Sequence, residues 1–168
     1  MTDGIRFVPL RAADGGLSRV LIAEQSLPGT PEQVFPFFSD AFNLEQITPP
    51  WLRFSVLTPG PIDVGEGTLI DYRLRLHGVP LLWHTRITGW DPPHRFSDEQ
   101  ISGPYRAWRH LHTFEPLGDG RTLSRDAVEY RIRGGRAVQA VAQRVLVERD
   151  LRAIFEYRRE RLAEIFPG

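Results

Sequence analysis

Two hydrophobic periods divide this chain, and their order limits the folds open to it. From Trp51 to Arg133 apolar and polar residues alternate with a period of two. From Arg136 to Phe166 apolar residues recur at threes and fours, with neither Gly nor Pro among them. The first pattern predicts strands over Leu52–Thr58, Thr68–His77, Val79–Trp90, His94–Ser102, Tyr105–Glu115 and Thr122–Ile132. Between them lie Pro59-Gly60-Pro61, Gly65-Glu66-Gly67, His77-Gly78, Asp91-Pro92-Pro93, Gly103-Pro104 and Gly118-Asp119-Gly120. These have turn chemistry and hairpin length, so successive strands pair as an antiparallel meander. The second pattern predicts one amphipathic helix of about 30 residues, roughly 45 Å long. Its apolar stripe carries Val138, Val141, Val145, Leu151, Ile154, Phe155, Leu162 and Ile165.

Upstream, Leu17–Ser26 predicts a first strand, for seven in all, and residues 1–16 a loosely ordered lead. Thr30, Pro31 and Gln33 have the types of an N-cap, a first helical residue and the far corner of a capping box. Pro36 is expected to cut that helix short, and a second short helix over Ser39–Gln46 ends before Pro49-Pro50. The predicted class is α+β, in one domain over residues 1–168. A seven-stranded antiparallel sheet wraps around a long C-terminal helix, with two short helices after strand 1. Such a sheet does not close its interior completely, and ligands favour concave, mostly apolar spaces.

Composition removes several classes of chemistry. The 21 basic and 21 acidic residues cancel, which argues against a domain gripping nucleic acid. Every basic residue is Arg, which reads as coding bias. The absence of Lys excludes Schiff-base and Walker-type lysine chemistry. The absence of Cys excludes disulfides, thiol nucleophiles and Cys-ligated metal centres. No GxSxG, GxxxxGK[ST] or GxGxxG occurs, so hydrolase, NTPase and dinucleotide-dependent readings have no support. No apolar run approaches the roughly 18 residues of a membrane span. The N-terminal residues lack the apolar core of a signal peptide, and a cytoplasmic location is expected.

One stretch is recognisable. Phe96-x-Asp98-x-Gln100-x-x-Gly103-Pro104-Tyr105-x-x-Trp108-x-His110-x-His112-x-Phe114-Glu115, followed by Asp126-x-Val128-x-Tyr130, resembles the START/polyketide-cyclase superfamily, called SRPBCC. It is most similar to the bacterial ligand-binding branch related to cell-division-inhibitor-like proteins. Thr30-Pro31-Glu32-x-Val34-Phe35 and the late helix fit the same pattern, so the resemblance covers about residues 18–166. It implies a helix-grip fold with a hydrophobic cavity, in a superfamily of lipid and quinone carriers, hormone receptors, aromatase/cyclases and co-chaperones. It does not imply one activity, because function lives in the site.

Alternation places Arg106, Trp108, His110, His112 and Phe114 on one strand face and Tyr105, Ala107, Arg109, Leu111 and Thr113 on the other. The first set holds the bulkier aromatics and is expected to face inward. Neighbouring strands add Phe96, Asp98 and Gln100 on one side and Asp126, Val128 and Tyr130 on the other. Three readings of this cluster stand side by side. Buried His and Asp satisfy one another; or they orient a ligand; or one of them, retuned by burial, moves protons. The candidates for proton transfer are His110, His112, Asp98, Asp126 and Tyr130. The candidate ligand contacts are Tyr72, Trp83, Asp98, Gln100, Trp108, His110, His112 and Tyr130 from the sheet, and Val141 and Val145 from the helix.

His110 and His112 share a strand face, but the usual third ligand is not evident, so neither a metal nor another cofactor is expected. Trp51, Phe54, Leu74 and Leu81 read chiefly as core, and Phe35, Phe37 and Phe38 as packing beneath one end of the cavity. Arg149, Arg152, Arg158, Arg159 and Arg161 alternate with Glu residues and read as a solvated helix face. The expected function is binding of a small hydrophobic or aromatic molecule (lipid, quinone or polyketide-like) between sheet and helix. One alternative is an aromatase/cyclase using the same His, Asp and Tyr groups. A second is a protein–protein adaptor with a closed cavity. The expected partner is that small molecule, with no nucleic acid and no membrane span; oligomeric state is left open.

Overall fold

Among the described residues, eight strands form a single antiparallel sheet, one more than the alternation predicts. The computed structural model describes residues 4–11, 17–133 and 146–168. The strands are β1 (Gly4–Arg11), β2 (Leu17–Pro28), β3 (Ser55–Val56), β4 (Leu69–Leu76), β5 (Val79–Asp91), β6 (Arg95–Ser102), β7 (Ala107–Pro116) and β8 (Arg121–Arg131). Their order across the sheet is β1-β2-β8-β7-β6-β5-β4-β3. From β3 to β8 each strand lies beside its successor, as the short turns dictate, and β8 comes back to pair with β2.

The additional strand is the segment expected to be loose. Gly4–Arg11 pairs residue for residue with Glu24 back to Leu17. Ile5 and Phe7 pack against the buried cluster of Leu21, Ala23, Val128, Tyr130, Leu151 and Phe155, and Arg6 pairs with Glu24 at 2.6 Å. Leu52–Thr58 departs in the other direction. Only Ser55–Val56 is strand; Pro50–Leu52 is a 3₁₀ turn, and Trp51, expected in the core, is 48% exposed.

The first helix, α1 (Pro31–Ser39), starts where the capping residues place it. Thr30 N–H donates to Gln33 Oε1 at 2.9 Å, and Thr30 C=O accepts from Val34 N–H. It runs through Pro36 instead of stopping there. Val34, Phe35 and Phe38 are all buried, and that packing holds the helix across the missing N–H. The expected second helix is a 3₁₀ turn over Ala41–Glu45, begun by Asp40, whose Oδ1 accepts from Phe42 N–H.

The C-terminal helix is described from Glu148 to Ile165 (α2) and buries Leu151, Phe155, Arg158 and Leu162. The earlier part of the predicted helix, with Val138, Val141 and Val145, lies outside the described residues. No described helix is long and apolar enough to cross a membrane.

Two buried clusters clamp α2 to the sheet. At one end Phe35 meets Trp90, Phe96 and Phe114 edge-on, with centroids 5.4, 5.8 and 5.5 Å apart, joined by Leu27, Val34, Phe38, Ile47 and Leu162. The second cluster holds Leu151 and Phe155 against β2 and β8. Between these clusters the interior is not filled.

Candidate functional site

The unfilled space is a cavity of about 190 Å³. Leu151, Ile154, Phe155 and Arg158 of α2 line one side, Tyr72, Leu74, Leu81 and Trp83 of β4 and β5 another. Leu44, Ile47 and Leu52 close an end. The β4–β5 hairpin turns on two residues, His77 (φ 50°) and Gly78 (φ 82°), as a two-residue hairpin with both φ positive requires. His77 Nε2 at its tip lies 2.7 Å from Asp150 Oδ2 on α2.

Asp98, His110 and His112 form the polar wall. Asp98 on β6 is paired in register with His110 on β7, and His112 with Asp126 on β8. The period of two brings all four side chains to the concave face. Asp98, His110 and His112 line the cavity, with Trp108 beside them; Asp126 lies behind the imidazoles and does not line it. His110 Nε2 and His112 Nδ1 each lie 2.8 Å from the same oxygen, Asp126 Oδ1, with Arg158 NH1 at 3.5 Å. The other ring nitrogens, His110 Nδ1 and His112 Nε2, turn toward Asp98 Oδ2 at 4.0 and 3.7 Å, beyond hydrogen-bond reach. The two imidazoles overlap, with centroids 3.8 Å apart, and His112 stacks on Phe96 at 4.1 Å.

Burial and neighbouring charge split these groups. Burial, reinforced by His112, pushes His110 below the ordinary imidazole value despite its bond to Asp126. Burial opposes charge on His112 as well, but the Asp126 and Asp98 carboxylates outweigh it and raise its pKa. Burial works against ionised Asp126 too, yet His112, the imidazole hydrogen bonds and Arg158 hold its carboxyl well below the usual range. The cluster therefore holds one imidazole that is easily charged beside one that resists charge.

Two other predicted contacts are elsewhere. Gln100 does not line the cavity. Its Nε2 donates to Tyr105 C=O at 2.9 Å and its Oε1 accepts from Tyr105 N–H at 3.2 Å. A Cβ on Gly103 would stand 2.5 Å from that Oε1, so the Gln100-x-x-Gly103 spacing allows the clamp to close. Tyr130 is fully buried beneath Tyr105 and Trp108, and burial raises its phenol pKa; it is core and does not line the cavity. Val141 and Val145 lie outside the described residues.

The sequence matches the family described as polyketide cyclase / dehydrase and lipid transport over residues 27–156. The chain belongs to that family. The match does not extend to the cell-division-inhibitor-like branch. Comparison with curated proteins gives no match. Among solved structures, this chain is similar to protein CV1439 from Chromobacterium violaceum, at 16% identity and TM-score 0.67 over 89% of this chain and 97% of that one. It is similar to the Zhui aromatase/cyclase from a Streptomyces species, at 13% identity and TM-score 0.64 over 88% and 96%. It is also similar to a norcoclaurine synthase from Thalictrum flavum, at 14% identity and TM-score 0.62 over 88% and 95%. At these identities the likeness is one of fold.

Two residues of this family member, Arg158 and Tyr105, line the cavity against expectation. Arg158, assigned to a solvated face, is buried, with its guanidinium 4.7 Å from the Phe155 ring centroid. The signal was present, because 151, 155, 158 and 162 advance by four, three and four, and Arg158 lies on the buried stripe. Tyr105, assigned outward, precedes β7 in the turn gripped by Gln100 and lines the cavity, whereas Arg106 is exposed. Alternation does not extend through a turn.

Proposed function

We propose that the chain acts as one domain that binds a small apolar or aromatic molecule in this cavity, with the molecule's polar end at Asp98, His110 and His112. One observation carries this reading: a cavity of about 190 Å³, walled largely by Leu, Ile and aromatic side chains, with Asp98, His110 and His112 together on one wall. A buried apolar cavity of about 150 Å³ stays dry and binds benzene. The space here suits a molecule of one or two rings better than an extended polyketide chain. Removing such a molecule from water gains about 25 cal/mol per Å² of apolar surface. The membership of a family described by polyketide cyclisation and lipid transport agrees with it.

A second reading, proton transfer of the cyclase type, is favoured by the histidine geometry. Each imidazole has one nitrogen fixed by Asp126 and lines the cavity, as a positioned acid or base requires. Titration with an environment-sensitive apolar dye tests the first reading, since Trp83 and Trp108 report from the cavity wall. The expected result is saturable binding at one site, weakened by at least tenfold in Trp108→Arg with circular dichroism unchanged. Absence of a saturable site would leave the adaptor reading in its place. For the second, His110→Gln and His112→Gln are compared on any molecule the wild type converts. A loss of about 10²–10⁴-fold in turnover with binding retained marks an enzyme, and a modest change in affinity alone marks a binding protein.

A further inference from the structure

With both imidazoles neutral, the polar wall brings three acceptors together. Because His110 Nε2 and His112 Nδ1 face Asp126 Oδ1, the neutral rings carry their lone pairs on His110 Nδ1 and His112 Nε2. Each of the three residues offers one ligand atom within 4.8 Å of the others, and those two nitrogens lie 4.0 and 3.7 Å from Asp98 Oδ2. Both contacts are longer than an ordinary hydrogen bond, and the Arg158 guanidinium contacts Asp126 and Phe155 instead. Three converging acceptors in a largely buried site repel one another unless something positive sits among them.

We propose that Asp98, His110 and His112 bind one divalent first-row transition-metal ion, with its remaining coordination positions open to the cavity. Two imidazoles and one carboxylate suit zinc, iron, nickel or cobalt, and the nitrogen donors disfavour calcium and magnesium. Metal–donor distances of about 2.0–2.2 Å place neighbouring donors roughly 3 Å apart. The separations of 3.7 and 4.0 Å from Asp98 need to shrink by no more than about an ångström. Three protein ligands leave room for water or a ligand atom, which is the pattern of an open site. The supporting shell is already built, since one carboxylate, Asp126, fixes the orientation of both imidazoles and is itself steadied by Arg158. The third donor, which no spacing along β7 supplies, comes from the adjacent strand β6. This inference holds whatever fills the apolar part of the cavity; its rival is a proton on the imidazoles.

Chelator-treated full-length protein is titrated with Zn²⁺ against a competing metal indicator, and with Co²⁺ for its visible spectrum. One equivalent is expected to bind with a Kd of about 1 µM or tighter. Asp98→Asn, which removes a partly exposed ligand, is expected to weaken binding by about 100-fold or more. The double variant His77→Gln/His84→Gln, which removes the two exposed His–Asp pairs, is expected to bind as the wild type does. X-ray absorption on the Zn²⁺-loaded wild type needs no variant and is expected to show two imidazoles with oxygen donors. Four results would overturn the site: no binding of either ion at about millimolar concentration, binding retained in folded Asp98→Asn, binding lost in the double variant, or fewer than two imidazoles at the metal.

Discussion

Replacing Asp126 by Asn leaves the shape of the site almost unchanged and removes the charge that organises it. In the wild type one oxygen receives two imidazole nitrogens at 2.8 Å and lies 3.5 Å from a guanidinium, all of them buried. Removing one partner of a buried ion pair costs about 3–5 kcal/mol, mostly because the other charge is left uncompensated. Here the cost is at the low end. The Arg158 contact is long, the Asn oxygen still accepts from one imidazole, and His112 can shed its proton. About 3 kcal/mol is expected, or roughly 6–12 °C in Tm for a chain of this size.

The pH dependence carries the sharper test, measured by urea unfolding of chelator-treated protein from pH 4 to 9. His112 has a folded pKa above its unfolded value of about 6.5. Its contribution is therefore full below about pH 6.5 and is lost as pH rises through the folded value. Asp126 has a folded pKa far below its unfolded value of about 3.9. Its contribution is present above that value and is lost as pH falls toward the folded one. His110, held neutral by burial, costs stability below about pH 6.5 in both proteins and cancels to first order. The gap between wild type and Asp126→Asn should thus be widest near pH 5–6.5 and narrow on both sides, retaining the Arg158 share at high pH. A gap that stays flat from pH 5 to 9, or an Asn variant as stable as the wild type, would refute the assignment of Asp126 as the shared anchor.

Two further outcomes test the frame around the site. Phe155→Ala removes the side chain that joins α2 to the Leu21–Val128–Tyr130 cluster and should cost about 3–5 kcal/mol by chemical denaturation; a loss below about 1 kcal/mol would mean that α2 is not anchored there. Pro36→Ala restores an N–H inside α1 at an exposed position and should stabilise by about 1–3 kcal/mol, read as a higher Tm; a lower Tm would show that the proline is compensated within the helix.

The parts of this fold written in local periodicity were legible, and those written in register were not. The burial of His110, His112 and Phe114 follows from a period of two along β7, and α2 follows from a period of 3.6. The placement of Asp98 beside His110 depends on how β6 and β7 align. That alignment is set by the Gly103-Pro104 turn and the Gln100 clamp, which no period encodes. Arg158 was misread because its charge outweighed its position on the stripe. β1 was overlooked because Pro9 and the small residues from Ala12 to Gly16 obscure a short alternation whose value depends on β2 lying alongside.

The strand order sets where this molecule moves most easily. β6, β7 and β8, which carry Asp98, the two histidines and Asp126, are each hydrogen-bonded on both flanks and lie inside the sheet. β1 and β3 stand at its two ends with one neighbour each, and β3 is only two residues long. Local opening costs least where backbone bonds face solvent and contacts are few. The tip of the β4–β5 hairpin is held to α2 through a largely exposed His77, the kind of tie that contributes little. Breathing that admits a guest can therefore be frequent at the margins while the polar groups stay fixed relative to one another. A molecule would reach these groups through a yielding rim and meet a wall already set before it arrived.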